Sequence, residues 1–577
     1  MNTMKASLLA GALAVTGFSM TQAATVDVST DITTSTVWTA DNVYRLTDQI
    51  YVQPGASLTI EAGTVIASEA GVGGSLAVTR GAQIFVNGTA DDPVIMTSDA
   101  DVATWDVDAT HPTGKDPKTG TWRPAVNEWG NLTIMGDGVL SGSDFDGNPV
   151  TITQDDDGVA GGSTTTRQNT AIPDGLNQRV MEGLTAEFTG DPRILYGGDN
   201  DNDDSGTINY LSIRYCGKVI GLGNELNGFS LGAIGRETDI SHVDIMNNVD
   251  DGIEIWGGTV NLKYVNIWNI GDDSFDIDQG WRGKAQFGLI VQGYGTNASQ
   301  GSGIGDNIFE TDGAEDSDAQ PVTTGVIYNF TAVGQPLDGD GGTTWRDNAR
   351  MQYRNCIFMN VGDELVKFDD DDGDGANGYS GPGASDVRDN TPSDGTLNWE
   401  DHWTTAWNNY PTVNAAPGAV PADFNSSTTL YQSQVDGFIC EISDSVFYEN
   451  AAGAYSESDL LGVTVAGDDA PTFNNVVADN SPITSITRDS VESLSGKNMV
   501  RVLDIDPLPQ NDAVTSVSSA PNDGFFTPAN YRGAFAPAST RRAGENWLVG
   551  WTAADAFGFV TDSSSGGANV ENWKSFD

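Results

Sequence analysis

Acidic residues in the middle of the chain recur in pairs at a fixed interval. Asp250-Asp251 is followed 22 residues later by Asp272-Asp273, and Glu254 by Asp276. A further pair, Asp363-Glu364, lies in a related segment. Carboxylates brought side by side repel unless a cation or a shared proton stands between them. Three chemistries suit the pattern. Oxygen-only clusters bridge Ca²⁺. Asp side chains cap tight turns by accepting backbone N–H groups. Paired carboxylates divide the acid and base roles of a catalytic site. The candidate metal ligands are Asp250, Asp251, Asp272, Asp273, Asp276 and Asp363. A second cluster, Asp370-x-Asp372-x-Asp374-Gly375, matches the first half of an EF-hand loop, but its twelfth position is Gly381 instead of Glu. Asp370, Asp372 and Asp374 are therefore ligands of a reduced Ca²⁺ loop or part of a solvated acidic turn. The run Asp199–Asp204 is a weaker version of the same pattern.

Other reactive residues are sparse. His111, His242 and His402 are far apart and form no paired ligand motif, so zinc chemistry and a Ser-His-Asp arrangement find no support. Cys216, Cys356 and Cys440 are an odd set without a CxxC, which reads as buried thiols, not a disulfide framework. Gly271-Asp272-Asp273 resembles the Gly-Asp-Asp motif of polygalacturonase-type glycosidases. The Asn-Thr-Asp, Gly-His-Gly and Arg-Ile-Lys motifs that accompany it in those enzymes are absent. A Ca²⁺-dependent polysaccharide lyase needs a basic side chain near its metal, and Arg282 is the nearest candidate. No catalytic constellation is complete, and no catalytic residue is assigned: the expectation is a protein that is not an enzyme.

The elements that must position the acids are read from the same repeat. Ile240 to Ile255 aligns with Leu262 to Ile277, and again with Tyr353 to Phe368. Apolar residues alternate at 243 and 245, 253 and 255, 265 and 267, 275 and 277. That is the period of strands with one buried face. Strand and turn, repeated in about 22 residues, describe a coil of a parallel β-helix, in which each coil pairs with the next and none is stable alone. The expected fold is an all-β, right-handed parallel β-helix with long acidic loop insertions and a C-terminal cap. In it, equivalent residues of adjacent coils lie about 4.8 Å apart, so the paired acids stack. Cys356 falls on the inward position of Val243 and Val265. Short β-rich pieces from Tyr44 to Met96, separated by turns such as Pro54-Gly55 and Asn87-Gly88, continue the pattern toward the N-terminus.

Three stretches interrupt the repeat, at 97–128, 140–206 and 369–430, and read as projecting loops. Lys5, the apolar run Ala6–Met20 and Thr21-Gln22-Ala23 form an export signal, with the cut between Ala23 and Ala24. The expected organisation is a signal at 1–23, the β-helix at 24–454, and the last part of the solenoid with its cap at 455–577. The formal net charge is −54. A phosphate-backbone binder needs a basic surface, so nucleic acid is excluded as a partner, and anionic lipid is disfavoured.

The export signal, the Gly55–Ile66 run, Asp250-Asp251-Gly252-Ile253-Glu254 and Gly271–Asp276 followed by Gly280-Trp281-Arg282-Gly283 together resemble the β-helical surface-layer proteins of marine gammaproteobacteria. The resemblance covers most of the mature chain. It implies a self-assembling cell-surface lattice that contributes to the biofilm matrix, with Ca²⁺ as a structural cofactor. The implied partners are other copies of the chain and the outer-membrane surface or its polysaccharide. No catalytic motif comes with the resemblance, and beyond the export signal no apolar stretch is long enough for a membrane helix. Two rivals stand beside this reading. One is an exported polysaccharide lyase or hydrolase. The other is a carbohydrate-binding adhesin that uses Trp403 and Trp407 as stacking platforms.

Overall fold

The computed structural model describes residues 24–140, 151–153, 166–168, 178–188, 191–221, 224–293, 305–313, 323–346, 349–368, 399–407, 433–434, 436–450, 473–494, 496–510, 517, 519–537 and 546–563. Two large sheets, of seventeen and nine strands, carry the body. The chain crosses between them within each coil. Asp239–Asn248 lies in the larger sheet and Ile253–Trp256 in the smaller; the next coil repeats this with Asn261–Ile270 and Phe275–Asp278. The pairing is parallel and offset by one coil, with Val243 opposite Val265 and Ile253 opposite Phe275. The molecule is a parallel β-helix, as the period-two alternation predicts.

The long strands bend at residues with left-handed backbone. His242 and Asn247 have φ of 58° and 64°, and Tyr264 and Asn269 one coil on have 61° and 56°. Each long strand is thus folded twice, five residues apart. Asn tolerates this region better than most side chains because it can hydrogen-bond locally. Here it does so between coils: Asn269 Nδ2 donates to Asn247 Oδ1 at 3.2 Å. Asn247 also accepts from Trp122 Nε1 at 3.1 Å and donates to the carbonyls of Arg123 and Ala125 at 2.9 and 3.0 Å, which pins an inserted segment to the corner. At the opposite corner Gly257 and Gly258 have φ of 66° and 73°. A Cβ on Gly257 would lie 2.6 Å from Leu140 Cβ, so the turn needs glycine for space as well as for conformation.

Inward side chains stack along the axis. Val243, Val265, Gly288, Phe330 and Cys356 occupy one column. All three cysteines are buried and free, and burial pushes the Cys356 thiol up to about 12. The bend positions form a second, outward column in which Tyr210, His242, Tyr264 and Phe287 stack with centroids 4.1, 4.3 and 5.1 Å apart. Trp551 and Trp547 meet this column edge-on. The C-terminal covering segment therefore lies along a flank of the coils, over Met246, Trp268, Leu289 and Met359. The helix Ala553–Ala556 seats there by donating the Ala553 N–H to Asp244 Oδ2 at 2.8 Å.

The interruption at 369–430 is not wholly a projecting loop. Its described part holds the helix Trp399–Thr404, and Trp399, Trp403 and Trp407 join Trp345 and Phe473 in the main core. Trp403 and Trp407 are 0% and 5% exposed, so the expectation that they present stacking platforms is corrected. Their large apolar area is more stable inside the core than in water. Among the described residues, no helix is long and apolar enough to cross a membrane.

Candidate metal centre

The acidic residues form three rails along the turn between the larger and smaller sheets. Asp250, Asp272, Asp306, Asp340 and Asp363 take equivalent places, joined in part by backbone bonds from Asp272 to Asp250, Asp306 to Asp272 and Asp363 to Asp340. The second rail runs Asp251, Asp273, Asn307, Gly341, Glu364. The third lies on the outer face of the smaller sheet, where Ser230, Glu254, Asp276, Glu310, Thr344 and Lys367 are successive partners. Strand alternation explains the third rail: Ile253 and Ile255 point into the core, so Glu254 must point out.

Turn capping and clustering turn out to be compatible. Asp251 Oδ1 accepts the Asp273 N–H at 2.9 Å, and Asp273 Oδ1 accepts the Asn307 N–H at 2.5 Å. One oxygen of each carboxylate thus ties its coil to the next. The carboxylates also crowd each other. Asp251, Glu254 and Asp276 bring an oxygen each to within 4.8 Å of one another, as do Asp250, Asp251 and Asp272, then Asp272, Asp273 and Asp306, then Glu182, Glu225 and Asp250. Two oxygens on opposite sides of a Ca²⁺ ion, each about 2.4 Å from it, stand at this spacing.

Although the third rail faces outward, it is covered at Ser230, Glu254 and Asp276. Residues 178–188 and 191–198 form a strap whose ends pair as Arg179–Val180 with Leu195–Tyr196. Its Met181, Leu184, Ile194 and Tyr196 pack on Met135, Leu140, Leu226 and Trp256. Glu182 on the strap meets Glu254; Glu254 and Asp276 are 7% and 6% exposed, and Asp250, Asp251 and Asp273 are similarly buried. Burial, and then the neighbouring carboxylates, raise Asp250, Asp251, Glu254, Asp273 and Asp276 well above the usual range. Asp272 is pushed up to about 8 by burial and then by Asp306 and Glu310. Burial carries Glu182 to about 7, and burial with its hydrogen-bonded neighbour Asp340 carries Asp306 to about 7.

Among the described residues, Lys and Arg pair with the array at one end. Arg346 pairs with Glu310 and Asp312, each at 2.7 Å, and Lys367 and Lys497 approach Asp340 at 3.2 and 3.7 Å. Asp340 accordingly lies below its ordinary value: burial works against it, but the Asp306 hydrogen bond and the two lysines win. Among the described residues, Asp250, Asp251, Glu254, Asp272, Asp273 and Asp276 make no ion pair with Lys or Arg, and Oδ1 of Asp276 is buried without a hydrogen-bond partner. An all-oxygen donor set with surplus negative charge fits a hard divalent cation and suits neither copper nor zinc held by nitrogen or sulfur.

The structure brings Asp250, Asp251, Asp272, Asp273 and Asp276 together. Asp363 extends the first rail but sits three coils beyond Asp272 and is exposed, because the coils at 306 and 340 intervene. Asp370, Asp372, Asp374 and Ala23 lie outside the described residues; Ala24 opens the strand Ala24–Val28, which pairs with Asn42–Leu46. Arg282, the candidate lyase base, is engaged elsewhere, since its guanidinium binds Asp201 at 2.7 Å and the Val139 carbonyl at 2.8 Å. That corrects the expectation of Arg282 as the base beside Asp272 and Asp273, and it gives Asp201 of the Asp199–Asp204 run an ion-pairing role. Sequence reasoning missed Asp306, Glu310, Asp340, Glu182 and Glu225. Gly305-Asp306-Asn307-Ile308-Phe309-Glu310 echoes Gly271-Asp272-Asp273-Ser274-Phe275-Asp276, a signal hidden by coils of 34 residues where 22 was the rule. Glu182 and Glu225 belong to no repeat.

The chain matches the model of a protein family described as a pectate-lyase like beta helix domain, over residues 30–140 and 177–412. No curated protein and no solved structure matches it.

Proposed function

Because the chain belongs to the pectate-lyase-like β-helix domain family, we propose that it uses this scaffold structurally, as an exported protein that assembles with its own copies into a cell-surface layer and biofilm matrix held by Ca²⁺. The observation that carries the reading is the enclosure of the carboxylate rails. Acids packed between coils and strap are placed to hold cations within the fold. Much of the remaining charge of −54 stays on the outside, where divalent cations in a salty medium screen it and bridge neighbouring molecules. The partners are further copies of the chain and the outer-membrane surface or its polysaccharide. Treating intact cells with a chelator should release the protein, and restoring Ca²⁺ should return an ordered array visible by electron microscopy. Protein that stays soluble and monomeric with Ca²⁺ overturns the proposal.

A second reading, cleavage of an acidic polysaccharide, draws on the family description. Purified protein would then release oligosaccharides from a panel of acidic polysaccharides, and Asp272→Ala with Asp273→Ala would abolish release. No release from any substrate removes this reading.

A further inference from the structure

The strap over the rails is held by apolar contacts, by backbone pairing and by polar ties such as Arg193 to Asp31 at 3.2 Å and the Tyr196 hydroxyl to Gln279 Oε1 at 2.7 Å. Glu182 lies between Met181, buried against the coils, and Gly183, whose N–H donates to Asn224 Oδ1 at 2.7 Å. Its carboxyl points down onto the third rail, where it meets Glu254 and lies 3.5 Å from Asn227 Nδ2. An acid placed on an acid costs stability unless something positive lies between them. One coil on, beside Glu254, the buried Oδ1 of Asp276 has no hydrogen-bond partner. A buried acceptor left unpaired costs about 1–3 kcal/mol, and Asp276 is one of the three acids, with Asp251 and Glu254, that converge within 4.8 Å.

We propose that a hard divalent cation is bound by Asp251, Glu254 and Asp276 and closed from above by Glu182, so that the metal fastens the strap to the coils. This rests on the cation-filled reading of the rails and adds a mechanical role for one ion. Asp251 keeps Oδ1 for the Asp273 N–H and gives its other oxygen. Asp276 gives its unpaired oxygen. Glu182 supplies a ligand from a segment remote in sequence from the others, which converts ion binding into a tertiary contact. The cation is recognised by charge and hardness, and Ca²⁺ suits the irregular all-carboxylate set better than Mg²⁺, which demands near-octahedral geometry.

The test is hydrogen–deuterium exchange on the mature protein with Ca²⁺ or with a chelator. Ca²⁺ should slow exchange of peptides from 178–198 by tenfold or more. Glu182→Gln removes the repelling charge, so its strap should exchange slowly in both conditions and lose the Ca²⁺ response. Asp276→Asn should weaken Ca²⁺ binding, read by equilibrium titration, and shift the strap response to higher Ca²⁺. Wild-type strap exchange that ignores Ca²⁺, or a Glu182→Gln variant with the wild-type response, overturns the inference. Either result leaves the lattice untouched. Conversely, a Ca²⁺-fastened strap on a protein that never forms arrays removes the surface-layer proposal alone.

Discussion

At the residue scale, each acid of the rails is asked to do two things, and the two can be separated by substitution. Asp276→Asn keeps the shape and removes a charge from a buried, crowded place. In chelator the variant should be more stable than wild type, by about 1–3 kcal/mol; in Ca²⁺ the order should reverse. Thermal unfolding in both buffers reads the crossover, and an unchanged order in Ca²⁺ would contradict metal binding at this residue. Acidity gives a second expectation. Asp272 titrates near 8, and Asp306 and Glu182 near 7, against an ordinary value near 4. Between those limits the native state holds protons that the unfolded chain has released. Metal-free stability is therefore full below about pH 4 and falls as pH rises through 7 to 8. Melting in chelator should be higher at pH 5 than at pH 8, and Ca²⁺ should flatten the slope by replacing protons. A metal-free melt that rises with pH would refute it. Asp250, Asp251, Asp272, Asp273 and Asp276 were legible in the sequence because the 22-residue repeat aligns them. Glu254 was legible as the partner of Asp276 but not as a ligand, since nothing in a one-dimensional pattern shows that an outward-facing residue is roofed over.

At the element scale, the corners decide whether coils stack. Asn247 combines a left-handed backbone with bonds to Asn269, Trp122, Arg123 and Ala125. Asn247→Ala should cost about 1–2 kcal/mol for the backbone and a comparable amount for bonds left unmade. Asn247→Gly should recover the first part only, so chemical denaturation of the two variants separates conformation from hydrogen bonding. Equal losses would show that φ is not the issue. The flank matters in a different way. Deleting residues after 500 would strip Trp547, Trp551 and the helix Ala553–Ala556 from Trp268, Met246 and the aromatic stack. Such a variant should bind a hydrophobic dye and aggregate, whereas retention as a dye-silent monomer would show the segment to be dispensable. Alternation at 243/245 and 253/255 made these strands readable, and the inward place of Cys356 with them. The destination of the C-terminal segment was not readable, because covering an end and covering a flank require the same amphipathic composition. Trp403 and Trp407 misled for a related reason: an acidic, glycine-rich stretch hides a short helix that fills the core.

At the scale of the whole molecule, the charge of −54 divides into an enclosed share and an exposed one. Monovalent salt screens exposed charge but cannot bridge it. Raising NaCl in chelator should leave the protein monomeric by light scattering, while millimolar Ca²⁺ at the same ionic strength should drive assembly. Assembly by NaCl alone would show that screening, not bridging, limits association. The total charge was plain from composition. Its partition was not, since that depends on which loop lies over which coil. The 22-residue register that pairs Val243 with Val265 and Glu254 with Asp276 also limits how such a chain can lengthen. Side chains alternate between core and outside, and corners recur at set places, so a change in strand length by one residue inverts a face. Heritable growth along the axis is therefore confined to duplication of complete coils, each adding about 4.8 Å and another rung of acids. Turns escape this rule, as the 34-residue coils ending at Asp306 and Asp340 demonstrate. A lineage built on such a scaffold can vary its loops freely from one generation to the next, but it can change its length only in whole steps.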